Sequence, residues 1–195
     1  IRDVSSLKQL ALYLLSNIGK PVAANKLTGL FGVKAPSTIL EYFSYLSDAY
    51  LVEFVPQFSY SLKTQSRNPK KVYAIDTGLV TALSMSFTDD FGRRLENLVY
   101  LHLRRKYKEI FFFANKGECD FVVFDRSTIK LAVQVCYHID DLNFERELNG
   151  LTEAMTTLHL SEGIIVTMSQ SDSFEKDGKR IKMIPAYHFL RTEIE

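Results

Sequence analysis

Residues 117–138 read GECDFVVFDRSTIKLAVQVCYH. Two apolar runs flank a polar turn, DRSTIK, so the stretch predicts a β-hairpin. Side chains on a strand alternate between its two faces. On the first strand Glu118 and Asp120 share one face, while Phe121 and Val123 take the other. On the second, Gln134, Cys136 and His138 share a face, opposite Val133, Val135 and Tyr137. Pairing across the turn gathers Glu118, Asp120, Gln134 and Cys136. Glu96, on a helix just upstream, can point at the same place. Glu96, Asp120 and Gln134 are therefore candidate ligands for Mg²⁺, which takes oxygen donors from one or two carboxylates plus water. A metal so held activates water and steadies a phosphate oxygen. Read alone, Asp120 is more readily an ordinary strand-edge or turn acid.

The surrounding sequence extends this hairpin into an α/β (α+β) domain. DDFGRRLENLVYLHLRRKYKEI (89–110) is the longest helical stretch, with Leu95, Leu98, Val99 and Leu103 on its apolar face. The cluster Arg104-Arg105-Lys106 suits the negative end of the helix dipole. Strands are predicted at 110–114, 119–124, 129–137, 163–168 and 180–185, with a helix over 140–158 and a closing helical turn at AYHFL. Strands and helices in this order predict a central mixed sheet flanked by helices. Phe112, Phe113, Phe121 and Phe124 read as core.

The first third differs. Leu7, Leu10, Leu14 and Ile18 stand at helical spacing within 5–20, and Gly19 with Pro21 ends that helix. A second short helix is predicted over 22–32. A third starts at Pro36 and Ser37, with Ile39, Leu40, Phe43 and Leu46 as its buried stripe. A strand at 51–58, a basic loop and the strand KVYAID follow. Three helices and a hairpin around a basic loop are the order of a winged helix, whose third helix enters the DNA major groove while the wing grips phosphate. Its exposed face would use Lys34, Ser37, Thr38, Glu41 and Tyr45, and its wing Lys63, Arg67, Lys70 and Lys71. The helix lacks the Arg and Asn that read bases, and Glu41 and Asp48 repel phosphate, so backbone contact is expected rather than base readout. Packing against a neighbouring domain is the competing use. The predicted domains are 1–78 and 79–195.

The 195 residues carry 24 Lys or Arg against 23 Asp or Glu, a net charge of +1. That balance hides an asymmetry. Residues 1–71 hold nine basic and four acidic residues, the rest fifteen and nineteen. A basic front is suited to a phosphate backbone, although a solvated surface has the same composition. No apolar run approaches the roughly 20 residues of a membrane span. Cys119 and Cys136 are the only cysteines and form no ligand cluster, which fits a reducing cytoplasm. The four histidines show no metal-ligand spacing. The chain starts with Ile1, so a fragment of a longer protein is expected.

The succession of Glu96, Asp120 and Gln134-Val135-Cys136 resembles the restriction-endonuclease-like, or PD-(D/E)xK, phosphodiesterase fold. A fuller series covers nearly the whole chain: the winged-helix front, VYAIDTGL (72–79), GRRLENLVYLHLRR (92–105), GECDFVV (117–123), AVQVCY (132–137) and IPAYHFL (184–190). It resembles the region of unknown function that follows a P-loop ATPase module in a family of prokaryotic AAA-type ATPases. The resemblance implies an ATPase domain upstream. The present chain has no GxxxxGK[ST] loop, so ATP belongs to that upstream part.

Carried over by residue, Glu96 matches the helix acid of the nuclease fold, Asp120 the first strand acid and Gln134 the second. Cys136 stands where the catalytic lysine belongs, and a thiol cannot supply its positive charge. Lys116 and Lys130 are the lysines near enough in sequence to substitute. A neutral Gln134 also removes one ligand charge, so Mg²⁺ should bind weakly. The expected function is an accessory region that couples an ATPase to a nucleic-acid partner, such as duplex or branched DNA, or to a protein partner, with a nuclease-like fold that has lost catalysis. The alternatives are a metal-dependent DNA endonuclease and a purely structural module packing on the ATPase or on a second copy as a homo-oligomer.

Overall fold

A computed structural model describes residues 4–83 and 90–191. The chain divides into two compact units, Ile1–Pro56 with Ser61–Asp90, and Gln57–Tyr60 with Phe91–Glu195.

In the first unit, α1 (Val4–Leu15) buries Leu10, Leu14 and Leu15. The turn after it is tied to the sheet by Gly19, whose N–H donates to the Val72 carbonyl at 2.8 Å. Then come β1 (Pro21–Val22), α2 (Ala24–Leu27) and α3 (Pro36–Asp48). Pro36 sits in the first turn of α3, where its missing N–H costs nothing. Tyr50 ends the helix in the left-handed region (φ 53°). Its N–H donates to the Ser47 carbonyl, and that of Leu51 to the Leu46 carbonyl. These two bonds are a Schellman closure, with tyrosine where glycine is usual. β2 (Val52–Pro56), α4 (Leu62–Arg67), β3 (Lys70–Ala74) and α5 (Thr77–Leu83) complete the unit. The small sheet is antiparallel in the order β1-β3-β2.

Several expectations change here. The helix predicted over 22–32 is a two-residue strand and one helical turn. The basic loop contains α4, because Ser61 caps it by accepting from Thr64 N–H at 3.3 Å. Leu40 is 53% exposed, and Tyr42 takes its place in the buried stripe. Lys71 is 1% exposed, so it cannot be a solvent-facing wing cation. The first unit extends past residue 78, because Val80 of α5 packs in its core. The expected helix 89–110 starts on residue 89, which lies outside the described residues.

The second unit holds α6 (Phe91–Lys106), β4 (Glu109–Ala114), β5 (Glu118–Asp125), β6 (Thr128–Val135), α7 (Phe144–Thr157), β7 (Glu162–Thr167), β8 (Asp172–Lys176), β9 (Lys179–Pro185) and α8 (Ala186–Phe189). Its six strands form one mixed sheet in the order β4-β5-β6-β7-β9-β8. β4, β5 and β6 are antiparallel; β6, β7 and β9 are parallel, with α7 crossing from β6 to β7. β8 was not anticipated: DSFEK is polar, as suits a strand at the sheet edge. The opposite edge is extended by Gln57 and Phe58. Phe58 N–H donates to the Phe112 carbonyl at 2.7 Å, and the Phe58 ring stacks on Phe124. The β5–β6 turn has Arg126 and Ser127 both at positive φ, the pattern of a two-residue type I′ hairpin.

Strict alternation fails on β5. Phe111 pairs with Val122 but Phe113 with Cys119, so three residues of β5 span two of β4. This bulge falls at Asp120 and Phe121. Cys119 and Val122 consequently pack in the same core cluster, with Leu148, Leu151, Ala154 and Met155 of α7. Phe121 instead stacks against Tyr100 of α6, with ring centroids 6.3 Å apart.

Helix α7 lies very close to β5. A Cβ on Gly150 would fall 2.1 Å from the Glu118 carbonyl oxygen, and one on Gly117 would fall 2.8 Å from Gly150 Cα. Only glycine allows that approach. Gly150→Ala should therefore lower stability by about 2 kcal/mol through overpacking, although alanine itself favours a helix by about 1 kcal/mol. Denaturant unfolding checks this, and a raised midpoint would contradict the packing.

Candidate functional site

The site grows from the place where the β5–β6 ladder stops. Backbone pairing runs as far as Phe121 with Val133. Beyond it, side chains replace backbone partners. Asp120 N–H donates to Gln134 Oε1 at 3.1 Å, and Val135 N–H donates to Asp120 Oδ2 at 2.8 Å. The other end of the Gln134 amide donates through Nε2 to Glu147 Oε2 on α7. Glu147 Oε1 in turn accepts from the Arg146 guanidinium, with Nε at 3.0 Å. Asp120, Gln134 and Glu147 are 5%, 6% and 7% exposed, while Arg146 reaches into solvent. Buried polar groups must be paired, and this chain pairs them from one strand to the next and on to the helix.

Cys136 lies just beyond. Its N–H donates to the Val166 carbonyl at 3.0 Å, and its thiol lies 3.2 Å from the His138 carbonyl oxygen. Burial, then the negative charge of Glu147, pushes the thiol up to about 11. It is neutral at physiological pH, hence neither a cation nor an activated nucleophile.

The structure thus joins Asp120 and Gln134 directly and sets Cys136 beside them. Glu96 is buried on α6, one turn before Tyr100. Among the described residues, no three His, Cys, Asp or Glu side chains form a group able to hold a metal ion. The oxygens of Asp120 and Gln134 that a cation would use already accept internal hydrogen bonds. The Gln134 oxygen already accepts from Asp120 N–H, its NH₂ faces Glu147, and Asp120 Oδ2 is taken by Val135. Lys116 and Lys130 are both exposed. The cation that the network uses is Arg146. Glu147 and Arg146 escaped the sequence reading, yet a signal existed: Glu147 stands four residues before Leu151, in phase with the apolar stripe of α7. An acid on a core face is a group that needs a partner.

The expected basic surface is rearranged. Lys34, Ser37, Lys63 and Arg67 are exposed, and Thr38 and Lys70 are half-buried. Arg67 and Lys70 line a groove of about 360 Å³ together with Pro36 and Leu40 at the start of α3. Lys34, Ser37, Thr38 and Lys63 are not among its lining residues. On α3 itself the Tyr45 hydroxyl is hydrogen-bonded to Glu41.

Two consequences are measurable. Gln134→Glu replaces an amide donor by a carboxyl facing Glu147 and should cost about 3 kcal/mol at neutral pH. The introduced carboxyl is held above its ordinary range, so the deficit should shrink as pH falls; unfolding at pH 7 and pH 5 checks the sign. For Cys136, the thiol moves from 9.0 in the unfolded chain to about 11 in the fold. The folded protein keeps a proton that the unfolded chain releases, so this stabilisation is whole below about pH 9 and lost as pH rises towards about 11. Thiolate absorbance titrated in the native chain, minus that of Cys136→Ser, should show the same high midpoint.

Comparison with known proteins adds relatives without assigned roles. Residues 1–90 match the model of a domain of unknown function, DUF8612. An uncharacterized protein of Methanocaldococcus jannaschii is 34% identical over 98% of this chain, which covers 46% of that relative. An uncharacterized protein of Haemophilus influenzae is 26% identical over 91% of the chain, covering 44% of it. The chain therefore spans less than half the length of the curated relatives it matches. No solved structure matches. No helix among the described residues is long and apolar enough to cross a membrane.

Proposed function

We propose that this chain is a non-catalytic binding and coupling region: a winged helix followed by a restriction-endonuclease-like domain, serving an AAA-type ATPase module that lies upstream in the parent protein. It links ATP turnover to a nucleic-acid or protein partner. The observation that carries the reading is the closed polar chain from Asp120 through Gln134 and Glu147 to Arg146. Metal-assisted hydrolysis needs carboxylate oxygens turned toward one point and a cation beside the phosphate. An amide and a neutral thiol stand where the resemblance puts an acid and the lysine, and Asp120 and Glu147 hold internal hydrogen bonds. A binding role is supported by the exposed cations Lys63 and Arg67 on α4, with Lys70 at the start of β3. In the parent protein Mg²⁺ and ATP would act at the upstream module, whose phosphate-binding loop this chain lacks.

The cleavage test uses supercoiled and branched DNA with Mg²⁺ or Mn²⁺. The native chain and Asp120→Ala should both remain at background; metal-dependent nicking abolished by Asp120→Ala would reinstate the endonuclease. The binding test reverses charge at Lys63, Arg67 and Lys70 together. In the full-length protein this should weaken the partner or change the ATPase rate. If duplex DNA is the partner, each lost phosphate contact lowers the log–log salt slope by about 0.9. Unchanged ATPase rate and unchanged binding would favour the purely structural module.

A further inference from the structure

We infer that the groove between the starts of α2 and α3 and the α4–β3 corner docks an acidic peptide segment with an apolar anchor side chain. This rests on the coupling reading and chooses a protein partner for it. The groove has an apolar side and a charged side. Pro36 and Leu40 form part of the first, and Leu40 is 53% exposed on a helix whose other large apolar side chains are mostly buried. Arg67 and Lys70 supply the second, and Asn25 and Asn68 add amides able to bond a peptide backbone. Among the described residues no carboxylate lines the groove, so its two cations face an acidic ligand without internal competition. A guanidinium and an ammonium suit carboxylates, and Arg67 can engage one bidentately.

Three features favour peptide over nucleic acid. No aromatic ring is among the described lining residues, so nothing there offers a stacking platform for a base. The volume of about 360 Å³ is small and accepts one or two side chains. Along α3 beyond the groove stand Glu41 and Asp48, which repel a phosphate backbone continuing past it but not a short peptide. An exposed leucine beside two cations is the complement of a Leu, Met or Phe next to Asp or Glu.

The test pans a random peptide display library on the full chain, then measures one enriched peptide by fluorescence anisotropy, with a short DNA duplex in parallel. Enriched sequences should pair acidic with large apolar residues. Arg67→Glu with Lys70→Glu, and separately Leu40→Asp, should each weaken the peptide by at least about tenfold, that is about 1.4 kcal/mol. These side chains are exposed or half-buried, so thermal unfolding should stay near the parent value and keep the comparison valid. Hydrogen exchange should slow at 36–40 and 66–70 on binding. No acidic enrichment, or affinity that survives both variants, overturns the inference. Duplex binding lost in the same variants, without peptide enrichment, assigns the groove to nucleic acid and leaves the coupling reading standing. Absence of any ligand in both arms removes the groove's part in coupling as well.

Discussion

Beyond the Phe121–Val133 pair the backbone ladder of β5 and β6 gives way to side chains, and the second unit is organised around that substitution. A strand end that lost its partners inside a core would leave amide groups unpaired, each costing about 1–3 kcal/mol. Here Gln134 and Asp120 exchange bonds with the opposing backbone, so the strands separate without that penalty. The bulge on the β4 side of β5 falls at the same residues. Asp120 thus sits where β5 departs from regular pairing on both sides, and its carboxylate holds the junction to β6.

Helix α7 is fixed to this junction along one face. Glu147, Gly150 and Glu153 follow at intervals of three, which places them on neighbouring positions of the helix surface. Glu147 receives the Gln134 amide. Gly150 lies on the backbone of Glu118. Glu153 accepts from the Gly117 N–H at 2.6 Å and from the Asn115 amide at 2.7 Å, closing the β4–β5 turn. Two of these contacts are hydrogen bonds and the third is a steric limit. Together they set the helix height over β5, while Leu148, Leu151 and Met155 supply the apolar burial beside them.

The longer helices and most strands were legible because their apolar periods are long and unbroken. α6 starts within two residues of its expected position and β7 within one, as hydrophobic spacing alone requires. The failures are local and have separate causes. β1 is two residues long and carries no pattern. α4 depends on one capping serine in a basic loop. β8 is an edge strand whose polar side chains hide its backbone pairing. The site was half legible. Asp120 and Gln134 meet, but alternation could not reveal the bulge, and nothing local ties position 134 to position 147. That pair depends on the crossover that lays α7 over the sheet.

The polar chain also bears on why the junction is built without a hydrophobic plug. Replacing a buried ionic or amide network by apolar side chains is often neutral or stabilising, whereas removing one member is costly. Stability alone therefore does not require Gln134 and Glu147. Their directional bonds do something apolar packing cannot: they accept one register of β5 against β6 and one rotation of α7 about its axis. Any slip would leave an amide or a carboxylate buried without its partner. A neutral thiol at 136 suits this network, since a lysine there would offer Glu147 a second cation in competition with Arg146 and weaken the pairing that closes the chain.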